Sequence, residues 1–144
     1  MELAKNKKAF FDYEILETIE SGMVLDGYEV KAIRLKQLNL KGGYVSIHNG
    51  EAWLENVLIA TYQPKNQPSE NGKRKRKLLL KRKEIDRLEN QAKTPGVTLV
   101  PLKVFLKNHR AKLEIGVCRG KKQHDKRETI KHRDLDRELR RQIK

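Results

Sequence analysis

Residues 97–118, VTLVPLKVFLKNHRAKLEIGVC, predict one long β-hairpin. Apolar residues alternate with other residues on both sides of a polar turn near residues 108–110, a period of two that is typical of half-buried strands. The apolar residues predicted to share a face are Leu102, Val104 and Leu106 before the turn, and Leu113, Ile115 and Val117 after it. Because the turn is short, the two strands are expected to be antiparallel neighbours.

Further strands are predicted upstream of this hairpin. Residues 44–62, YVSIHNGEAWLENVLIATY, form two extended segments around Asn49-Gly50, the dipeptide that best tolerates the positive φ of a tight turn. Residues 11–19 alternate like a half-buried strand, and residues 78–80, three leucines, predict a buried one. Local hairpins without βαβ alternation indicate a mainly β protein, a small antiparallel OB-like barrel with two or three flanking helices.

Two helices can be placed from their sequence signals. Asp26 stands three residues before Glu29, a capping-box arrangement that opens a short helix. Ile85 and Leu88 fall at helical spacing before residues 94–96, Thr-Pro-Gly, which stop the second helix. A second interpretation stays open for Glu29, a carboxylate that orients a neighbouring cation or hydrogen-bonds a base edge, although spacing alone favours the cap.

The charge of the chain indicates a polyanionic partner. The 144 residues hold 33 Lys and Arg against 19 Asp and Glu, a formal net charge of +14, so RNA or DNA is the expected ligand. Residues 63–77 contain two prolines and no apolar residue, and we expect a mobile loop there. Eight of the eleven residues from Lys73 to Lys83 are Lys or Arg, which favours a phosphate-binding patch over a merely solvated loop.

Other features exclude several classes of protein. The one cysteine, Cys118, makes no internal disulfide and no zinc site, and at the end of an alternating strand it is expected to be a packing or surface residue. The N-terminus lacks the apolar core of a signal peptide, and no apolar run approaches the ~20 residues of a membrane span. We therefore expect a soluble, cytoplasmic protein that binds no membrane.

The chain divides into a barrel domain, residues 1–118, and a basic tail, residues 119–144. The tail holds eleven Lys or Arg and four aliphatic residues. Burying four aliphatics contributes ~1.5 to 3 kcal/mol each, whereas ordering the tail costs ~1 to 2 kcal/mol per residue. The tail is thus expected to be disordered in the free protein, and pairs such as Asp136 with Arg140 favour a helix once an anionic partner binds it.

The segment around residues 116–128, GVCRGKKQHDKRE, contains fragments of catalytic motifs. A Walker loop needs four residues between its first glycine and its Gly-Lys, but Gly116 and Gly120 enclose only three, and Lys122 stands where the hydroxyl belongs. A metal-dependent nuclease using His124, Asp125 and Glu128 is an alternative, but the remaining histidines lie in other elements without ligand spacing. No enzyme activity, metal or cofactor is expected.

Taken together, these segments resemble the SmpB family, the SsrA-binding proteins of bacterial ribosome rescue. The matching pieces cover nearly the whole chain in the family's order: NKKAFFDYEILETIESGMVLDGYEVKAIR, GEAWLENVLIATY, KRKLLLKRKEIDRL, GVTLVPLKVFLKN and AKLEIGVCRGKKQHDKRETIKHRD. The resemblance implies a barrel that binds the tRNA-like domain of transfer-messenger RNA (tmRNA) and a tail that follows the empty mRNA channel of the small ribosomal subunit. It also implies contact with ribosomal RNA and an indirect link to elongation factor Tu through the aminoacylated RNA.

The resemblance further implies roles for individual residues. Glu29 is expected to support RNA binding, which overturns the preference from spacing alone, and Leu88 and Lys112 match positions that hold the tRNA-like domain. Lys75 and Arg76 of the basic run are expected to bind its phosphates. In the tail, the residues matching the family's signature are Gly120, Lys121, Lys122, Asp125, Lys126 and Arg127, and His124 is expected near the decoding centre.

Outside this family, the composition also suits a basic ribosomal protein or an initiation-type OB factor that binds ribosomal RNA directly. The RNA that co-purifies with the protein separates the two hypotheses, since one species of tmRNA size is expected for the first and a ribosomal mixture for the second.

Overall fold

The computed structural model describes residues 2–60 and 73–120, which contain nine strands and three helices. In chain order they are β1 (Glu2–Lys5), α1 (Lys7–Asp12), β2 (Tyr13–Met23), α2 (Gly27–Arg34), β3 (Leu38–Asn39), β4 (Tyr44–His48), β5 (Glu51–Glu55), β6 (Leu58–Ile59), β7 (Arg76–Leu79), α3 (Arg82–Ala92), β8 (Val97–Lys107) and β9 (Arg110–Gly120). Within these residues, no helix has the length and apolar content needed to span a bilayer.

Seven strands form one antiparallel sheet in the order β1-β8-β9-β2-β7-β5-β4, and β3 pairs with β6 in a second, two-stranded sheet. The long sheet curls on itself, so that its edge strand β4 packs against β8 near the opposite edge. Just before β4, a Cβ placed on Gly43 would lie 2.5 Å from Val57 Cγ2 and 3.1 Å from Pro101 Cγ, so a side chain there would force its neighbours to shift. The predicted fold class, a mainly β antiparallel barrel with flanking helices, is confirmed.

Both predicted hairpins are present. The β4–β5 turn has φ of 52° at Asn49 and 73° at Gly50, and the β8–β9 turn has φ of 51° at Asn108 and 65° at His109. A positive φ at both central residues is characteristic of the two-residue hairpin turn whose twist matches that of the flanking strands. The second turn is therefore one residue shorter than the predicted span, and Arg110 already begins β9.

A β-bulge divides the apolar residues of β8 between two cores. The register with β9 shifts between Pro101 and Lys103, and an extra residue in one strand sends the following side chains to the opposite face. Val104 consequently packs in the larger core, whereas Leu102 packs in a smaller core with Ala9, Val100 and Cys118. The prediction that Leu102 faces the same way as Val104 is wrong, since strict alternation takes no account of a bulge.

The smaller core depends on a glycine in β9. Gly116 pairs with Val100, and a Cβ on Gly116 would lie 2.6 Å from Leu102 Cδ1 and 2.9 Å from Cys118 Sγ. Only the absence of a side chain leaves room for Leu102. Cys118 has no exposed surface, which confirms it as a packing residue, and burial raises the pKa of its thiol from 9.0 to about 11.

The first predicted strand begins later than expected because a helix occupies its start. The side chain of Asn6 accepts a hydrogen bond from the Ala9 N–H at 3.1 Å and so caps α1, which ends at Asp12. The same side chain donates to the carbonyl oxygens of Pro101 at 3.0 Å and Leu40 at 3.3 Å. These two long-range bonds fix the helix against the barrel and could not be inferred from alternation in residues 11–19.

Two strands extend beyond the residues in which the sequence predicts them. Strand β7 includes Arg76 and Lys77, which were assigned to a loop, and it ends at Leu79; residues 63–72 of that loop lie outside the described residues. Strand β9 runs two residues past the predicted domain boundary, because Arg119 pairs with Glu14 and Gly120 with Tyr13. Gly120 thus ends a strand, while residues 121–144 of the predicted tail lie outside the described part of the chain.

Candidate RNA-binding site

A shallow groove, here called the Lys112 groove, opens where four elements meet. The end of β2 contributes Gly22, α2 contributes Val30, β7 contributes Leu79, and the start of β9 contributes Arg110 and Lys112. A second, more polar depression continues from the groove and shares Arg110 and Lys112 with it. The groove therefore has apolar walls and a cationic rim.

The position of Lys112 follows from strand register. Gly22 pairs with Lys112 on one side and with Leu79 on the other, so the three residues form one row across the sheet. A Cβ on Gly22 would lie 3.3 Å from Leu79 Cβ and 3.7 Å from Lys112 Nζ, and Leu79 is 55% exposed. An ammonium beside an exposed apolar side chain is suited to a nucleotide, whose phosphate is anionic and whose base has an apolar face.

On two of these elements, α2 and β7, Glu29 and Arg76 form a buried ion pair with no exposed area on either side chain. Two nitrogens of Arg76 donate to Glu29 Oε2, Nε at 2.8 Å and Nη2 at 2.7 Å, and its Nη1 donates to the Val57 carbonyl oxygen at 2.6 Å. Burial lowers the pKa of Arg76, although the hydrogen bond and the charge of Glu29 act in the opposite direction. A buried charge needs such complete hydrogen bonding to be tolerated.

The other carboxylate oxygen of Glu29 is also satisfied. Its Oε1 accepts the backbone N–H of Asp26 at 2.9 Å and a hydrogen bond from Arg74 Nη2. The helix-cap interpretation of Glu29 is confirmed. The same carboxylate also binds and orients two cations, Arg74 and Arg76. Because the side chain is wholly buried, hydrogen bonding to a base edge does not fit this structure.

Arg74 carries the network to the surface. Its side chain is 34% exposed, and its Nη2 also lies 3.4 Å from Asp26 Oδ2. Burial lowers the pKa of Arg74, but the hydrogen bond and charges of Glu29 and Asp26 outweigh this effect and raise it overall. Next to it, the Tyr28 hydroxyl donates to Asp26 Oδ2 at 3.0 Å, which raises the pKa of Tyr28.

The basic run from Lys73 to Lys83 is not one free patch. Four of its eight cations are held by carboxylates: Arg74 and Arg76 by Glu29, Lys77 by Glu51 at 3.3 Å, and Arg82 by Asp86 at 3.3 Å. Lys75 is exposed, and its Nζ lies 4.6 Å from the centroid of the Trp53 ring. Of the paired cations, Arg76 is buried, whereas the Arg82 side chain stays 72% exposed, so the run is only partly the free patch that charge alone predicts.

The structure corrects the predicted role of Arg76. A guanidinium with no exposed area does not reach a phosphate, so direct phosphate binding by Arg76 does not fit this structure. Leu88 is also buried, since it is 2% exposed and packs in the larger core. Of the predicted contact residues, Lys75 is exposed and Lys112 partly so.

Sequence reasoning missed a second group of lysines near the N-terminus. Lys5, Lys7, Lys8 and Lys41 line one depression beside α1. Lys5 Nζ lies 4.8 Å and Lys103 Nζ 5.8 Å from the centroid of the Phe10 ring. Lys41 and Lys103 are distant along the chain from Lys5, Lys7 and Lys8, and no local pattern signals their approach.

No cluster of three or more His, Cys, Asp or Glu that could hold a metal occurs within residues 2–60 and 73–120. The nuclease alternative with His124, Asp125 and Glu128 lies outside the described residues. So do the predicted tail contacts Lys121, Lys122, Lys126 and Arg127.

Comparison with known proteins assigns the chain to a family. The family model described as SmpB protein matches residues 3–144. The chain belongs to the SmpB family. The chain is 53% identical to the SsrA-binding protein of Streptococcus pyogenes serotype M3 and 52% identical to that of Streptococcus mutans serotype c. Each match spans 142 residues, which are 99% of this chain and 92% of the relative.

A solved structure supports the same SmpB assignment. The structure described as "tmRNA-SmpB: a journey to the center of the bacterial ribosome" contains a chain 39% identical to this one, with a TM-score of 0.70. The match covers 88% of this chain and 93% of that chain. The barrel and its flanking helices are thus an SmpB fold, and the Lys112 groove lies within it.

Proposed function

We propose that this protein binds the tRNA-like domain of tmRNA and delivers it to stalled ribosomes for trans-translation. Membership of the SmpB family carries the proposal, together with relatives that are SsrA-binding proteins and a similar chain solved with tmRNA. The partners are tmRNA, the small ribosomal subunit with its RNA, and elongation factor Tu through the aminoacylated tmRNA.

The Lys112 groove supports the proposal on chemical grounds. Its exposed Leu79 offers a surface on which a base or ribose can pack, and Lys112 offers a cation for the adjoining phosphate. In this division of roles, Lys112 and Lys75 bind the RNA, while Glu29 and Leu88 shape the surface.

The tail extends the proposal to the ribosome. Lys121, Lys122, Lys126 and Arg127 bind ribosomal RNA phosphates in the empty mRNA channel, Gly120 joins the tail to the barrel, and His124 with Asp125 lies near the decoding centre. An imidazole can stack on a base, and the basic residues neutralise phosphates in a channel too narrow for the barrel. The protein acts in the cytoplasm and catalyses no reaction itself.

Two measurements test the proposal. The purified protein should bind the isolated tRNA-like domain of tmRNA with higher affinity than an elongator tRNA at the same salt concentration, since affinity without a stated salt concentration is uninterpretable. RNA that co-purifies from cells should be one predominant species of tmRNA size. Equal affinity for both RNAs, or a co-purified mixture of ribosomal RNA, contradicts the proposal.

A further inference from the structure

We propose that Arg76 is a positioning residue for RNA binding, which joins two walls of the Lys112 groove from below without touching RNA. The inference rests on the proposed function, because the groove is taken as the RNA site. In this proposal the buried Arg76 positions the groove, whereas its exposed neighbour Lys75 contacts the RNA.

The two walls come from different elements. Val30 of α2 and Leu79 of β7 both line the groove. Glu29 directly precedes Val30 on α2, and Arg76 belongs to β7 with Leu79. The 2.7 Å contact between Arg76 Nη2 and Glu29 Oε2 therefore ties one wall to the other.

Few backbone bonds hold the β7 wall to the rest of the groove. Only two residue pairs join β2 to β7, Gly22 with Leu79 and Met23 with Leu78, beside a bond from the Val24 N–H to the Lys77 carbonyl oxygen at 2.9 Å. By comparison, β2 pairs with β9 over nine positions. On its other side β7 pairs with β5 at three positions, the last of them Leu54 with Arg76, but β5 does not line the groove. The link from Arg76 to Glu29 is therefore one of few contacts that hold Leu79 in place relative to the other walls of the groove.

The chemistry of the link needs arginine. Arg76 uses Nε and Nη2 for Glu29 and Nη1 for the Val57 carbonyl oxygen at 2.6 Å, so one planar group binds α2 and the segment before β6 together. A lysine ammonium at this site keeps the charge but lacks the planar fork, and it cannot make all three contacts in the same geometry.

Direct contact and positioning leave different signatures in the salt dependence of binding. Loss of one phosphate contact makes the slope of log K against log salt shallower by ~0.7 to 0.9. Loss of positioning lowers the affinity but leaves the number of neutralised phosphates, and so the slope, nearly unchanged.

The experiment compares Arg76→Met, Arg76→Lys and Lys112→Ala in the full chain, with the tRNA-like domain of tmRNA as the probe, by filter binding at several salt concentrations. Lys112→Ala is the matched contact control and should make the slope shallower by ~0.7 to 0.9. Arg76→Met should bind at least ~10-fold more weakly with the wild-type slope, and Arg76→Lys should recover part of the affinity. A shallower slope or unchanged affinity in Arg76→Met overturns the inference.

Hydrogen exchange of the free protein tests the link without RNA. In Arg76→Met the amides of Val24 and Val30 should exchange faster, while those of the β8–β9 ladder keep their protection. If Arg76→Met does not fold, the double variant Glu29→Gln, Arg76→Met, which leaves neither charge of this pair, replaces it. Failure of the wild type to bind the RNA contradicts the proposed function, whereas unchanged exchange at Val24 and Val30 contradicts the link itself.

Discussion

The carboxylate of Glu29 and the guanidinium of Arg76 lie 2.7 Å apart with no exposed area on either side chain. Both oxygens of Glu29 are occupied, Oε2 by Arg76 and Oε1 by Arg74 and the Asp26 N–H. Burying two charges costs several kcal/mol per ion, and the mutual attraction with full hydrogen bonding offsets that cost. Removing one partner of this pair is therefore expected to lower the free energy of unfolding strongly.

Replacing Glu29 by glutamine should lower the free energy of unfolding by about 3 to 5 kcal/mol, because Arg76 is left as an uncompensated buried charge. The matched control is Glu51→Gln, which removes the 3.3 Å pair with Lys77 where both side chains are more than two-fifths exposed. That change should cost less than about 1 kcal/mol. Urea denaturation measures both, and equal losses would contradict the role of burial.

Introducing a methyl group at Gly116 should destabilise the smaller core. The new Cβ would lie 2.6 Å from Leu102 Cδ1, and such overpacking typically costs about 1 to 3 kcal/mol. Gly27→Ala is the control, since a Cβ there meets nothing within 4 Å at the start of α2. Thermal denaturation should show a lower Tm for Gly116→Ala and an unchanged or higher Tm for Gly27→Ala; the reverse order would refute the packing argument.

The buried thiol predicts a dependence of stability on alkaline pH. The folded-state pKa of Cys118 is raised from 9.0 to about 11, so the unfolded state loses its proton first as the pH rises. The contribution of the protonated thiol is full below about pH 9 and is lost between about pH 9 and 11, by up to about 3 kcal/mol. The stability difference between wild type and Cys118→Ala should shrink over that window in urea denaturation, and a difference independent of pH would contradict this.

Truncation after Gly120 should separate the two proposed activities. Because β9 ends at Gly120, this cut keeps the whole strand that pairs with Tyr13 and Glu14, whereas a cut after Cys118 removes two paired residues. The shortened protein should keep its affinity for the tRNA-like domain and lose peptide tagging on stalled ribosomes in a reconstituted translation assay. Unimpaired tagging, or lost RNA affinity in a folded truncation, would argue against the separate role of the tail.

The predictable parts of the fold were those encoded locally. Asn49-Gly50 and the turn at Asn108 each join strands that are adjacent in sequence, so the turn chemistry and alternation suffice to place them. The capping box of α2 is equally local, with Asp26 and Glu29 three residues apart. Family resemblance then supplied the expectation that Glu29 and Lys112 belong to one functional surface.

The parts that escaped prediction depend on contacts between distant residues. Glu29 and Arg76 are 47 residues apart in the chain, and a run of cations gives no sign of which member is buried. The helix α1 is fixed by Asn6 through a bond to a carbonyl 95 residues away. A bulge likewise breaks the alternation of β8 at Leu102 without any composition that marks it in advance.

The bulge in β8 has a consequence for the mechanics of the whole barrel. Because Leu102 and Val104 of one strand enter different cores, and Val117 and Cys118 of its neighbour do the same, the two cores share a single hydrogen-bonded ladder. Opening of one core is therefore coupled through the backbone to the other. The barrel is expected to unfold as one cooperative unit instead of section by section.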